Sequence, residues 1–147
     1  MNASNLDVQY TASATSTGGR QGEVKTSDGT LSLRTTEPKE LGGKGEEGAT
    51  NPEQLFAAGY ASCFSSAAKL AAETMNLPLQ ENDMQVTCHV SYGKDRSDTG
   101  FGLKVKMEVA VNGLEQDAKQ RLIEKANEIC PYSKAIKGNV EVELVTK

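Results

Sequence analysis

Apolar side chains recur through residues 51–75 at helical spacing, with Phe56, Tyr60, Cys63, Phe64, Ala67, Leu70 and Ala71 on one stripe. The other positions are mostly Ala, Gly and Ser, so neighbours could approach this helix closely nearly all round. Its start is well signalled. Thr50 or Asn51 can serve as N-cap, Pro52 suits the first helical position, where no amide hydrogen is needed, and Glu53 lies in the first turn, where the helix dipole favours an anion. The pattern predicts a long core helix carrying a thiol at Cys63.

On either side the period is that of strands. Residues 8–15 alternate Val8, Tyr10, Ala12 and Ala14 against polar neighbours, and Gly18-Gly19 ends the run. Residues 20–25 suit a second strand, Ser27-Asp28-Gly29 a turn, and residues 30–35 a third strand with Leu31 and Leu33 on one side, which together make an antiparallel meander. Residues 37–48 hold four glycines and six charges in twelve positions, which is loop chemistry at a length that suits a mobile flap. Beyond Pro78, residues 84–92 place Met84, Val86, Cys88, Val90 and Tyr92 on one face. Residues 93–100 form a polar turn, and Phe101, Leu103, Val105, Met107, Val109 and Val111 give the cleanest alternation in the chain. A second amphipathic helix over 115–128 carries Ala118, Leu122, Ala126 and Ile129 and stops at Cys130-Pro131, before a closing strand with Val140, Val142 and Leu144. This order lacks the regular strand–helix alternation of a doubly wound parallel sheet, so the expected class is α+β with mainly antiparallel sheets.

Composition narrows the possible roles. The 147 residues suit one domain, 1–147, and a net charge of -4 with 37% hydrophobic residues disfavours nucleic acid and anionic membranes as partners. The first residues lack a basic stretch followed by an apolar one, and Ser62, Ser65, Ser66 and Lys69 interrupt the most apolar segment, so a cytoplasmic protein is expected. Three cysteines without the dense spacing of a secreted scaffold point to thiols kept reduced at rest.

Conventional chemistry finds few residues. His89 is the only histidine, and it lies on the polar face of its strand while its neighbour Cys88 points the other way, so the two cannot act as a pair. No Cys-x-x-Cys offers metal-ligand spacing, and the glycines at 18–22 and 42–45 match neither phosphate-binding pattern. Thiol redox chemistry remains. A cysteine on a core helix is usually a small hydrophobe, and at its ordinary pKa of about 8.5 it is mostly protonated near pH 7. Cys63 lies ten residues beyond Glu53, outside first-turn reach of the dipole, so activation requires a cation. Arg121 falls on the polar face of the second helix and Arg96 in a charged turn, which leaves Arg20 and Arg34.

Three segments in order, Gly18-Gly-Arg20-Gln-Gly22, Asn51-Pro-Glu53-Gln-Leu-Phe-Ala-Ala-Gly-Tyr-Ala-Ser-Cys63-Phe, and Cys130-Pro-Tyr-Ser133 followed by Gly138-Asn-Val-Glu-Val, resemble the organic hydroperoxide resistance branch of the OsmC/Ohr family. The likeness covers nearly the whole chain, with departures at Ser62, Lys134 and Ile136. It implies an OsmC-like intertwined homodimer and a thiol peroxidase of the oxidative stress response, without bound cofactor or metal. The external reductant it implies is dihydrolipoamide or a lipoylated protein. Residue by residue, it implies that Cys63 attacks the peroxide, Cys130 resolves the product as a disulfide, and Arg20 with Glu53 orients and ionises the site.

Two physical expectations accompany it. If Cys130 ends the second helix, the negative end of that dipole disfavours its thiolate; if it instead caps a new turn at Pro131, that bias weakens. Ten residues of straight helix separate Glu53 from Cys63 by about 15 Å, which favours a site shared between two chains. Phe56, Tyr60 and Phe64 would give an apolar approach suited to alkyl or fatty-acid hydroperoxides. The rival readings are a sensor or binding protein oxidised once without turnover, and an OsmC-type peroxidase of broader specificity.

Overall fold

The computed structural model describes residues 2–147, which divide into two compact units, one running to Leu55 and one from Phe56 to Lys147. The first unit is an antiparallel meander of β1 (Ala14–Thr17), β2 (Glu23–Thr26) and β3 (Ser32–Arg34), in that order across the sheet. Thr17 pairs with Glu23 and Val24 with Leu33. The β1–β2 connection is tight enough to require glycine at Gly22, where a Cβ would come within 1.8 Å of the Thr17 carbonyl oxygen.

Here the strand expected over 8–15 is corrected: only its end is strand, and Val8 and Tyr10 are 63% and 81% exposed. Alternation marks a potential face, but a strand also needs a neighbour to pair with, and none of the described residues pairs with residues 8–12. The glycine-rich stretch after β3 is a loop, as its composition indicates, with a short 3-10 turn at Lys39–Leu41. It is tied down at both ends. The Gly45 amide donates to the Glu37 carbonyl, the Thr36 amide to the Thr50 carbonyl, and Arg34 pairs with Glu46 at 3.0 Å.

Helix α1 (Pro52–Thr74) starts in the first unit and runs on into the second. Asn51 is its N-cap, its Oδ1 accepting the Gln54 amide at 2.8 Å, with Pro52 in the first position. In the second unit β4 (Met84–Lys94) and β5 (Phe101–Val111) form a long antiparallel hairpin with Cys88 opposite Met107. β6 (Val142–Thr146) then adds alongside β5 in parallel, reached through α2 (Gln116–Ile129) and α3 (Pro131–Ile136). The sheet is therefore mixed, and α3 is an element the periodicity did not reveal. Six residues are too few to show a helical period.

One apolar cluster joins Tyr60, Phe64, Ala68 and Ala72 of α1 to Val105, Met107 and Val109 of β5 and to Leu122, Ile123 and Ala126 of α2. Burial on α1 follows positions 60, 64, 67, 68, 71 and 72, so Leu70 is 54% exposed and the Ser62, Ser66, Lys69 and Glu73 side faces outward. The helix is buried along a stripe and not all round. Small alanines on that stripe let the sheet and α2 approach closely. None of the described helices is long and apolar enough to cross a membrane.

On the outer side of the hairpin, Glu108 of β5 gathers three basic groups: Lys147 Nζ at 2.8 Å, Lys106 Nζ at 3.1 Å and His89 Nε2 at 3.3 Å. Lys147, then Lys106 and His89, hold its carboxyl at about 2, against an ordinary 4.5. Because the folded value lies below the unfolded one, this pairing contributes stability above about pH 4.5 that is lost as the pH falls toward 2. Glu108→Gln is therefore expected to make the loss of stability across that window shallower, measured by urea titrations at successive pH values.

Candidate active site

Two of the three cysteines meet. Cys63, in the middle of α1, and Cys130, at the junction of α2 and α3, have their sulfurs 3.7 Å apart, with the Cys130 thiol donating to the Cys63 sulfur. Their Sγ atoms are not bonded, and all three cysteines are free thiols. Cys130 is fully buried and Cys63 only partly so.

Local sequence explains how Cys130 gets there. Its amide still donates to the Ala126 carbonyl as the last bond of α2, while its own carbonyl accepts the Lys134 amide as the first bond of α3. Pro131 allows this, since it occupies the first position of α3, where the missing N–H costs nothing. Cys130 is thus the C-cap of one helix and the N-cap of the next, with extended dihedrals of φ -67° and ψ 121°. The two alternatives left by the sequence coexist, since Cys130 both closes α2 and opens α3.

The electrostatics of Cys63 are mixed. Burial is the main influence and pushes its thiol up, the Tyr132 backbone N–H donates to its sulfur and pulls it down, and the neighbouring Cys130 pushes it up further. The net direction is upward from the ordinary thiol value.

Aromatic side chains surround the pair. The Tyr132 ring lies 5.8 Å from that of Tyr60 and 6.4 Å from that of Phe56, and Phe56 meets Tyr60 edge-on at 6.1 Å. Gly59 makes room for it: a Cβ there would stand 2.8 Å from the Tyr132 hydroxyl oxygen. The Tyr60 hydroxyl and Ser133 Oγ share a buried hydrogen bond of 2.7 Å. Burial raises the Tyr60 phenol above its usual range, and Ser133 partly opposes this. Of the three aromatics expected to line the approach, Tyr60 and Phe64 are fully buried and Phe56 is half-buried. Tyr132, Ser133 and Gly59 stand within the recognised motifs but carried no role in the sequence reading, although Pro131 directly after a helix end is a signal for a new first turn.

In the other unit, Arg20 and Glu53 form a two-pronged pair, with Nη1 donating to Oε2 at 2.8 Å and Nη2 to Oε1 at 2.6 Å. The Arg20 hydrogen bond is the main reason the Glu53 carboxyl titrates below its ordinary range. The turn that carries Arg20 is itself pinned: Thr35 Oγ1 donates to the Gly19 carbonyl and accepts the Gly22 amide, and Gln21 Oε1 accepts from Thr36 and the Glu37 amide. Of the two guanidiniums the sequence left open, Arg34 is taken up by Glu46 on the exposed loop, and Arg20 is the one fixed by a half-buried carboxylate. Cys88 faces the core of its sheet, where burial raises its thiol to about 11. His89 is occupied with Glu108.

A family model described as OsmC-like protein matches residues 43–145. The organic hydroperoxide resistance protein of Xanthomonas axonopodis pv. citri is 46% identical over 142 residues, covering 97% of each chain. The organic hydroperoxide resistance protein OhrA of Bacillus subtilis is 44% identical over 135 residues, 92% of this chain and 94% of that one. Among solved structures, an organic hydroperoxide resistance protein OsmC from Legionella pneumophila superposes with a TM-score of 0.88 at 46% identity, covering 96% of this chain and 99% of that one. OhrB of Bacillus subtilis superposes with a TM-score of 0.84 at 40% identity, covering 94% and 98%. The α+β fold and the full-length likeness agree, and the chain belongs to the OsmC-like family, in its organic hydroperoxide resistance branch.

Proposed function

We propose that the protein is a thiol peroxidase that reduces organic hydroperoxides to alcohols in a reducing compartment such as the cytoplasm. The observation that carries this reading is the 3.7 Å separation of the Cys63 and Cys130 sulfurs, close enough for a disulfide to form by small side-chain movements. The names of the relatives, organic hydroperoxide resistance proteins, support the substrate class.

In the first step the Cys63 thiolate attacks the peroxide oxygen that becomes its own. The O–O bond breaks, the alkoxide takes a proton and leaves as alcohol, and Cys63 becomes a sulfenic acid. Cys130 then attacks that sulfur, giving the Cys63–Cys130 disulfide and water. An external dithiol of the lipoyl class returns both thiols and is itself oxidised to its cyclic disulfide, so two electrons are balanced in each half of the cycle.

Ionising Cys63 against its burial requires a positive charge, and an opposite charge at about 4–6 Å shifts a pKa by roughly 1–3 units. Arg20 is assigned that role and Glu53 that of holding the guanidinium in one orientation. Ten helical residues between Glu53 and Cys63 amount to about 15 Å, so the charge is assigned to Cys63 of the partner subunit in a homodimer. The exposed Leu6, Val8, Tyr10 and Leu31 supply apolar surface for such an assembly. Phe56, half-buried, is the contact offered to an alkyl or fatty-acyl chain, with the fully buried Tyr60 and Phe64 forming the wall behind it.

Three outcomes are expected. Arg20→Ala should raise the Cys63 pKa by about 1–3 units, read from thiolate absorbance against pH, and slow oxidation by cumene hydroperoxide at pH 7 in proportion. The sign follows from the groups: Glu53 is already ionised above its lowered pKa, so the fall of activity from alkaline to neutral pH belongs to the thiol and moves with Arg20→Ala. Cys130→Ser should still be oxidised once at Cys63 but should accumulate sulfenic acid trappable by dimedone and fail to turn over with dihydrolipoamide. Mixing Arg20→Ala with Cys63→Ser chains under conditions that exchange subunits should restore activity to one site in each mixed dimer; no gain in activity would assign Arg20 and Cys63 to the same chain.

A further inference from the structure

We infer that Ser133 and Tyr60 are a positioning pair for disulfide closure, whose buried hydrogen bond keeps the first turn of α3 on α1 while Cys63 passes through its oxidised state. This rests on the peroxidase reading and concerns its second step, the closure of the disulfide.

Every residue from Cys130 to Ser133 except Pro131 makes a contact with α1. The Cys130 sulfur meets that of Cys63, the Tyr132 amide donates to the Cys63 sulfur, and the Tyr132 ring covers Gly59 and abuts Phe56 and Tyr60. Ser133 Oγ then reaches the Tyr60 hydroxyl. The spacing is the same on both sides. Tyr60 precedes Cys63 by three residues on one face of α1, and Ser133 stands in the first turn of α3, three residues after its cap Cys130. The sulfur contact and the hydroxyl contact are two rungs between the same two elements.

Only one rung survives the first chemical step. Once Cys63 carries a sulfenic oxygen, the contact between two thiols no longer exists, and the 2.7 Å hydroxyl bond with the seated Tyr132 ring keeps Cys130 in place. In the closing step the Cys130 sulfur attacks the Cys63 sulfenyl sulfur. The S–S bond forms as the S–O bond breaks, and the hydroxyl leaves as water with the Cys130 thiol proton, so no further oxidant is needed. The sulfurs must converge from 3.7 Å to about 2.05 Å, a movement that the remaining rung guides. Both hydroxyls lie in the core, where an unpartnered one would be penalised, and that gives the rung its hold.

The test is rapid quench of the reduced full-length protein with one equivalent of cumene hydroperoxide, following sulfenic acid by dimedone labelling and disulfide by loss of free thiol. Ser133→Ala should oxidise at Cys63 within about twofold of the wild-type rate but form the disulfide about fivefold more slowly, the order one buried hydrogen bond supplies. It should also accumulate Cys63 sulfinic acid under excess peroxide. Ser133→Thr, which keeps the hydroxyl, should recover most of the closing rate. Tyr60→Phe should slow closure to a similar degree, and the double variant no further. Melting curves establish that each variant is folded. Unchanged closure in Ser133→Ala, equal slowing of both steps, or additive losses in the double variant would each overturn the positioning role and leave the peroxidase reading standing. Failure of the wild type to oxidise at Cys63 would overturn both.

Discussion

A thiol in an apolar interior resists ionisation, and the arrangement around Cys63 answers to that desolvation. Burial raises its pKa, and among the described residues one backbone amide, that of Tyr132, opposes it. A single neutral donor offsets part of the loss of water but supplies no net charge. The proposed peroxidase chemistry asks for a cation at Cys63, a role it assigns to Arg20, whose guanidinium the chain holds in a fixed orientation. Arginine suits this position because its planar fork can give two donors to Glu53 and keep its charge at any physiological pH. A lysine could give the charge but not that orientation.

The second thiol depends on a different device. Cys130 sits where α2 ends and α3 begins, and the placement follows from Pro131, which can start a helix but cannot continue one. Because the break falls directly after Cys130, its sulfur faces α1 and not the α2 surface. The same break brings the Tyr132 amide, free of an intrahelical partner in the first turn, to the Cys63 sulfur. One proline thus positions both donors to the Cys63 sulfur, the Cys130 thiol and the Tyr132 amide. Gly59 completes the fit by leaving the room into which the Tyr132 ring packs.

Much of this was legible in the residues. Capping by Asn51, the strand periods of residues 84–92 and 101–111, and the second amphipathic helix all follow from local pattern, and each is where the structure has it. The misses share a cause. Residues 8–12 have the alternation of a strand but no partner strand among the described residues, and Leu70 has helical spacing but sits off the stripe that meets the sheet. In both cases the pattern records what a side chain could bury, while the neighbour that would bury it lies elsewhere in the sequence. α3 escaped for its length, and Ser133 and Tyr132 escaped with it. Arg20 and Arg34 could not be separated by type or spacing, since only the fold shows that Glu46 occupies one and Glu53 the other.

Glu53 has two separate physical reasons to stand where it does. At the first turn of α1 a carboxylate is already favoured by the helix dipole, worth about 0.3–1 kcal/mol at an exposed terminus, so a structural reason for its presence exists without any chemistry. The bidentate contact to Arg20 goes beyond that reason. A dipole asks only for charge near the helix end, whereas two short bonds of 2.8 and 2.6 Å fix a plane. On the proposed reading, a guanidinium held in one plane is what an incoming peroxide oxygen and a thiolate both require.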